Sequence, residues 1–419
     1  MMLLIALLAC EPTPPAAPGA PAAPADAPAP AARSAVQEPL TGGPYPTLLL
    51  AQAQFAKDAA GKPKPGAALL TIWRQTPQGW TSSRLEDDAS NVFHKAVPTA
   101  DGILTIGAED AVLARWRWKD GAWAREELWK KSWGGRFDRL RDLEVGDVDG
   151  DGRDDLVMAT HDNGVLAVGR WKADGTLDVI ERAAKPDTFV HEIEICDVDG
   201  DGKKEFFATP SGRNQSSGRS QPGQVVMGRW NGTDVDVSVV EDFGDTHVKE
   251  ILCADLDGKG RGTLFAVVEA ATRLEDGRAR IVRPVEIRRY VPGKDGAFTH
   301  EVAATIEDHQ ARFLVPGDFD GDGTIDLVAA AMKSGLWLIR RDSKDWHAEN
   351  IERNSSGFEH ATFPADLDGD GRLELYVASD EQRELRRYTW NAASKVFDKT
   401  VIGPIPPSTI TWNITATRL

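Results

Sequence analysis

The apolar residues of this chain fall in short runs between Gly/Asp-rich turns, and the runs recur in register. Leu156-Val157-Met158-Ala159, Phe206-Phe207-Ala208-Thr209, Leu327-Val328-Ala329-Ala330 and Leu375-Tyr376-Val377-Ala378 are four of them. Short apolar runs bounded by turn signals predict buried strands. A leading strand precedes each turn: Leu140–Val145, Val190–Cys196, Val248–Ala254, Ala311–Pro316 and Glu359–Pro364. A hairpin follows each run, and its first strand ends on Arg: Arg170-Trp171, Arg229-Trp230, Arg289-Tyr290, Arg340-Arg341 and Arg387-Tyr388.

The same unit occurs earlier with a plain turn. Val92–Pro98 leads through Ala100-Asp101-Gly102 to Ile103–Gly107 and then to Arg115-Trp116. Before it, Thr47–Ala51, Ala68–Arg74 and Trp80–Leu85 supply three strands without a leading one, and Ile410–Ala416 supplies the missing strand at the far end. Units of about 48 to 63 residues, each of four strands, predict an all-β fold. The architecture is a seven-bladed β-propeller of four-stranded antiparallel blades over residues 44–419. The C-terminal strand closes the ring and removes its free edges. In-register Trp and Arg in the hairpins are read as blade-packing residues.

The turns carry the chemistry. Four of them read D-x-D-G-D-G-x-x-[DE]. The carboxylates are Asp147, Asp149, Asp151 and Asp155; Asp197, Asp199, Asp201 and Glu205; Asp318, Asp320, Asp322 and Asp326; Asp366, Asp368, Asp370 and Glu374. Oxygens at positions 1, 3, 5 and 9 of a tight loop, with the backbone carbonyl at 7, make a cage for a hard cation such as Ca²⁺. Position 7 is Arg153, Lys203, Thr324 and Arg372. An EF-hand would need Glu at position 12, where this chain has Met158, Ala208, Ala329 and Val377. A calcium loop inside a β-hairpin is therefore expected, with about four Ca²⁺ bound. A fifth loop, Asp255 to Thr263, has Lys259 at position 5 and is expected to keep the turn with its own ammonium in place of the cation.

The formal net charge is −16. The acidity lies largely in the loops and argues against nucleic acid as a partner. Cys196 and Cys253 stand one and two residues before the first Asp of their loops, with side chains on opposite strand faces. They are expected as small buried hydrophobes, with a disulfide as the alternative.

The D-x-D-G-D-G-x-x-[DE] loop between first and second strands resembles the VCBS/FG-GAP repeat family, whose calcium-loop blades also occur in integrin α-chain heads. The resemblance covers residues 45 to 419. It implies fold and metal; such blades serve adhesins, surface lipoproteins and a few carbohydrate enzymes, so function must come from the site. Residues 1–9 resemble a bacterial lipoprotein signal ending Leu7-Leu8-Ala9-Cys10, which implies lipidation at Cys10. Residues 10–43, Ala/Pro-rich after the lipidated Cys, are expected as a tether reaching roughly 90 Å. The implied place is the bacterial cell envelope, as an outer-membrane lipoprotein.

Six residues before each loop stands a basic side chain. These are Arg141, His191, Lys249, Arg312 and His360, with Lys95 from the unit whose loop starts at Asp101. A ring on the face opposite the metal loops would bind an anionic ligand. The alternative is that these cations pair with Asp142, Glu192, Glu194, Glu250 and Glu359. Two enlarged turns, Ser211–Gln224 and Thr272–Pro284, the latter with Arg273, Arg278, Arg280 and Arg283, open on the same face. The first expectation is a non-catalytic binding propeller for a glycan or an envelope protein. The second is a lyase or related enzyme on an acidic sugar, with His191 or His360 as base and Arg141, Arg312 or Lys249 as clamp. The third is an envelope assembly scaffold.

Overall fold

The computed structural model describes residues 45–58, 61–134, 138–182, 188–212, 222–276, 278–293, 296–342 and 345–419. The expectations for the signal segment, for Cys10, for the tether and for the middle of the Ser211–Gln224 turn lie outside the described residues. Among the described residues the chain forms seven four-stranded antiparallel sheets and a separate two-stranded hairpin, with no helix.

Each sheet is one blade of the propeller. Blade 2 spans Phe93–Lys131, blade 3 Leu140–Arg182, blade 4 Thr188–Asp242, blade 5 Val248–Ile306, blade 6 Ala311–Glu352 and blade 7 Thr362–Pro404. Blade 1 takes three strands from Pro46–Asp87 and its first from Thr409–Arg418. That strand pairs antiparallel with Pro46–Lys57, Leu50 opposite Ile414. Every first strand contacts the first strand of the next blade, and Thr409–Arg418 touches those of blades 7 and 2. The ring closes as the sequence predicts.

The core sits in the wedges between blades. Leu252, Phe265 and Ile287 of blade 5 pack against Leu314, Leu327 and Ile339 of blade 6, for example. Second strands are covered on both faces, and all of Asp326–Ala331 is buried. This is why those runs are continuously apolar rather than alternating. Each large apolar side chain so buried contributes about 1.5–3 kcal/mol. The hairpin Trp and Arg do pack blades together. Arg115 lies over Trp171 at 5.6 Å, Arg170 over Trp230 at 4.9 Å and Arg340 over Trp390 at 5.0 Å, each across one wedge.

Three local expectations change. The leading strand of blade 7 begins at Thr362, because His360 adopts φ 59 and turns the chain before it. The Thr272–Pro284 turn is a hairpin of its own, Ala271–Glu275 paired with Arg278–Arg283. Cys196 and Cys253 form a disulfide between blades 4 and 5, with Cα atoms 6.2 Å apart. Opposite faces on two neighbouring blades face each other across the wedge, so the expected orientations bring the two sulfurs together. Closing a loop of sequence separation 57 contributes about 4 kcal/mol in the chain-entropy account.

Candidate functional site

The four acidic turns fold into preformed cages. The first Asp of each accepts the amides of the two loop glycines: Gly150 and Gly152 donate to Asp147 at 2.7 and 2.9 Å. The same pair of bonds recurs on Asp197, Asp318 and Asp366. Gly150 and Gly152 have φ of 78 and 85, a left-handed conformation that glycine adopts without a Cβ penalty. Among the described residues four clusters have carboxylate oxygens within 4.8 Å of one another. They are Asp147, Asp149, Asp155; Asp197, Asp199, Glu205; Asp318, Asp320, Asp322; and Asp366, Asp368, Glu374.

Asp151, Asp201, Asp326 and Asp370 fall outside those clusters. Asp151 is held by Arg153, and Asp326 by Arg340 at 3.3 Å. The amides of Arg153, Lys203, Thr324 and Arg372 donate to the position-5 carboxylates at 2.7–2.9 Å. Burial, then repulsion from Asp149, pushes the Asp155 carboxyl up to about 6. Glu374 is pushed up to about 7, again first by burial. Acids so crowded favour a cation among them, and the all-oxygen donor set fits a hard one.

A residue on the third strand completes each cage from outside. Arg170 reaches Asp149 at 2.6 Å, Arg229 reaches Asp199 at 2.8 Å, Arg340 reaches Asp320 at 3.1 Å and Arg387 approaches Asp368 at 3.8 Å. All four carboxylates are at loop position 3. The same arginines were legible as packing residues, but their second contact was not. In the degenerate loop Lys259 takes Asp257 at 2.7 Å, as its sequence suggests.

The basic ring is built on β-bulges of the first strands. Register slips place Arg141, Lys249 and Arg312 as extra residues opposite the second strand, and His191 lies in the slip of blade 4. In blade 2 the extra residue is His94, and Lys95 stands one place further on. The offset arises because Thr99 pairs with Gly102, which puts the loop start at Ala100 rather than Asp101. Blade 1 contributes Trp412, which slips past Ala51 and Gln52. The sequence carried no loop to set the register of that strand.

These side chains are buried and mostly paired with acids. Arg141 donates to Glu359 at 3.2 Å, and Arg312, across the ring, forms an ion pair with the same carboxylate at 3.0 Å. Glu359 is 1% exposed. Lys249 pairs with Glu269 at 3.1 Å, and Arg141 lies 5.1 Å over the Trp412 ring. His360 donates from Nδ1 to the Ala331 carbonyl at 2.7 Å and accepts from the Ser355 hydroxyl at 2.7 Å. Among the described residues His191 has no hydrogen-bond partner on either ring nitrogen. Burial, followed by Arg312 and Lys249, holds His191 well below the usual imidazole range. Burial likewise lowers His360 to about 4 and, with Lys249, His247 to about 3. At neutral pH these histidines are uncharged.

One step along the axis toward the metal loops the sign reverses. Lys95 pairs with Asp142 at 2.8 Å and with Glu144, and lies 4.0 Å from Glu192. Asp142 accepts the Ile193 amide at 2.7 Å and Glu250 the Leu314 amide at 2.8 Å, each from the next blade. The bulges free those amides, and the carboxylates stitch neighbouring first strands together. Burial raises Glu192 and Glu194 well above the carboxylate range and Glu250 to about 8. Of the axial partners, Glu359, Asp142 and Glu192 were named from the sequence. Glu269 and Glu144 were missed; Glu269 lies in a turn after the second strand and no spacing marks it.

Two outcomes follow. Glu359→Ala strands two buried arginines, so unfolding free energy should fall by about 3–5 kcal/mol in urea titration. A loss under 1 kcal/mol would mean the pairs contribute little. Glu250 keeps its proton to about pH 8 when folded but ionises near 4.5 when unfolded. The unfolded state then binds fewer protons, so stability falls as pH rises through this window. Histidine ionisation opposes this only at lower pH. In chelator the melting temperature should therefore drop between pH 6.5 and 8, and Glu250→Gln should flatten the drop.

The FG-GAP-like repeat family matches residues 147–208 and 318–377, which hold all four acidic turns and all or part of the strand after each. No curated protein matches the chain. Among solved structures, the periplasmic gluconolactonase of Pseudomonas aeruginosa is 13% identical, with TM-score 0.53, over 88% of this chain and 98% of its own. The Synechocystis apocarotenoid oxygenase is 10% identical, with TM-score 0.55, over 90% and 94%. A protein of Lactobacillus plantarum is 10% identical, with TM-score 0.58, over 89% and 99%. At these identities the likeness is one of fold alone. The chain is a seven-bladed β-propeller carrying FG-GAP-like repeats, with acidic turns that could hold metal ions.

Proposed function

We propose that the protein is a calcium-stabilised, non-catalytic binding propeller of the bacterial cell envelope, anchored through Cys10, that recognises a glycan on the face opposite the metal loops. One observation carries the reading. On that face blade 5 interrupts its turn between second and third strands with the hairpin Ala271–Arg283, which belongs to no blade. Its Leu274 and Val282 are 40% and 52% exposed, and Arg273 and Arg280 are exposed beside them. Insertions on one face of a repeat scaffold commonly form its binding face. Apolar side chains next to guanidinium forks suit a sugar ring bearing hydroxyls or carboxylates. The axial cations support the non-catalytic part, because Glu359 and Glu269 already engage Arg141, Arg312 and Lys249.

A second reading is a carbohydrate enzyme acting on an acidic sugar. It is favoured by His191, whose ring nitrogens lack partners among the described residues and which lies near Arg312 and Lys249. The gluconolactonase named above is a carbohydrate enzyme of the same fold.

A glycan array probed with the calcium-loaded protein separates these readings. Binding should weaken at least tenfold in Arg273→Ala/Arg280→Ala and stay unchanged in His191→Ala. Turnover of an acidic saccharide, lost in His191→Ala, would replace the first reading with the second. No glycan binding at all would contradict both and favour a protein partner.

A further inference from the structure

Neighbouring metal loops touch at a fixed place. The residue just before one loop meets the residue two before the next loop, or the eighth residue within it. Between blades 3 and 4 this is Gly146 against Ile195; a Cβ on Gly146 would lie 3.3 Å from the Ile195 side chain. Between blades 6 and 7 it is Gly317 against Leu373, where a Cβ would lie 2.9 Å away. Both contacts are apolar and non-covalent. Between blades 4 and 5 the same place holds the Cys196–Cys253 disulfide.

Blade 5 carries the degenerate loop, which keeps acids only at positions 1 and 3. Lys259 stands at position 5 and pairs with Asp257, and Thr263 replaces the acid at position 9. The amides of Lys259 and Gly260 engage Asp255. This loop leans on the acidic loop of blade 4. The Gly262 amide donates to the Asp197 carbonyl at 2.7 Å. Arg261 Nε donates to the Val198 carbonyl at 2.7 Å. Gly262 lies against the disulfide so closely that a Cβ there would sit 2.6 Å from Cys253 Sγ and 2.9 Å from Cys196 Sγ. Only glycine fits. The main chain of the first two residues of the blade 4 loop is thus gripped by its neighbour, and Asp197 belongs to the cluster with Asp199 and Glu205.

We propose that the degenerate loop of blade 5 is a working part of the blade 4 metal site, with Arg261 and Gly262 as positioning residues locked in place by the disulfide, so that this one site of the four responds to redox state. The inference rests on the reading that the Asp197 loop takes calcium. A loop held in its bound form spends less binding energy on ordering. Cutting the disulfide releases the grip and returns that cost to the metal. The reaction is ordinary exchange with a dithiol: the reagent gives two electrons and two protons and becomes a disulfide, while Cys196 and Cys253 become thiols. Both cysteines are half-buried. Coupling is reciprocal, so bound calcium protects the disulfide by the same factor by which the disulfide strengthens calcium binding.

The experiment is a calcium titration of the full chain, oxidised and after dithiothreitol. One of the four sites should weaken about tenfold and the other three should not move. Cys253→Ser should reproduce the change without reductant. Asp197→Asn/Asp199→Asn should remove that site and with it the effect of dithiothreitol. The disulfide should also be about tenfold harder to reduce in calcium than in chelator, a readout that needs no variant. Four sites unchanged by reduction, or a disulfide equally reducible in calcium and chelator, overturns the coupling and leaves the calcium reading standing. Failure to bind any cation overturns the calcium reading itself.

Discussion

A four-stranded blade has two apolar faces and cannot bury either alone. That constraint governs this molecule. Each second strand is covered on both sides only because a neighbour packs against each face, as with Leu327–Ala331 between blades 5, 6 and 7. Stability is therefore a property of the closed ring. Thr409–Arg418 completes blade 1 and supplies the contact that joins the two ends of the array. Repeats further along the ring would otherwise present bare faces and unpaired strand edges.

Ring closure brings seven first strands to one axis, and the charges there follow from it. The bulges turn Arg141, Arg312, Lys249, His94 and His191 inward, where a lone cation would be costly. Glu359 and Glu269 neutralise the cations, while burial keeps the histidines uncharged. The acids nearer the loops, Asp142 and Glu250, accept amides that the bulges expose. The loops apply the same logic at the rim. Carboxylates are crowded together, a third-strand arginine offsets part of their charge, and a hard cation is suited to the remainder.

Much of this was legible from the chain. Loop spacing set the register, the register gave the strand order, and the orphan strand at Ile410–Ala416 predicted the closure. The ring at six residues before each loop was legible too, apart from Lys95, where a shortened turn shifted the count by one. What the sequence did not carry was contact between units. Two cysteines on opposite strand faces look separated within one blade and adjacent across two. Glu269 sits in a turn with no periodic marker. The outer hairpin Ala271–Arg283 read as an enlarged loop, because its few residues are mixed polar and apolar without clear alternation.

Thermal unfolding of the protein with saturating calcium and then with excess chelator tests most directly whether the acidic turns hold the ring together. Each site occupied at a hundred times its dissociation constant adds about 2.7 kcal/mol to the folded state. Four such sites predict a large fall in melting temperature on chelation, restored when calcium is returned. An identical melt in calcium and chelator would contradict the account and leave the turns as solvated acidic loops.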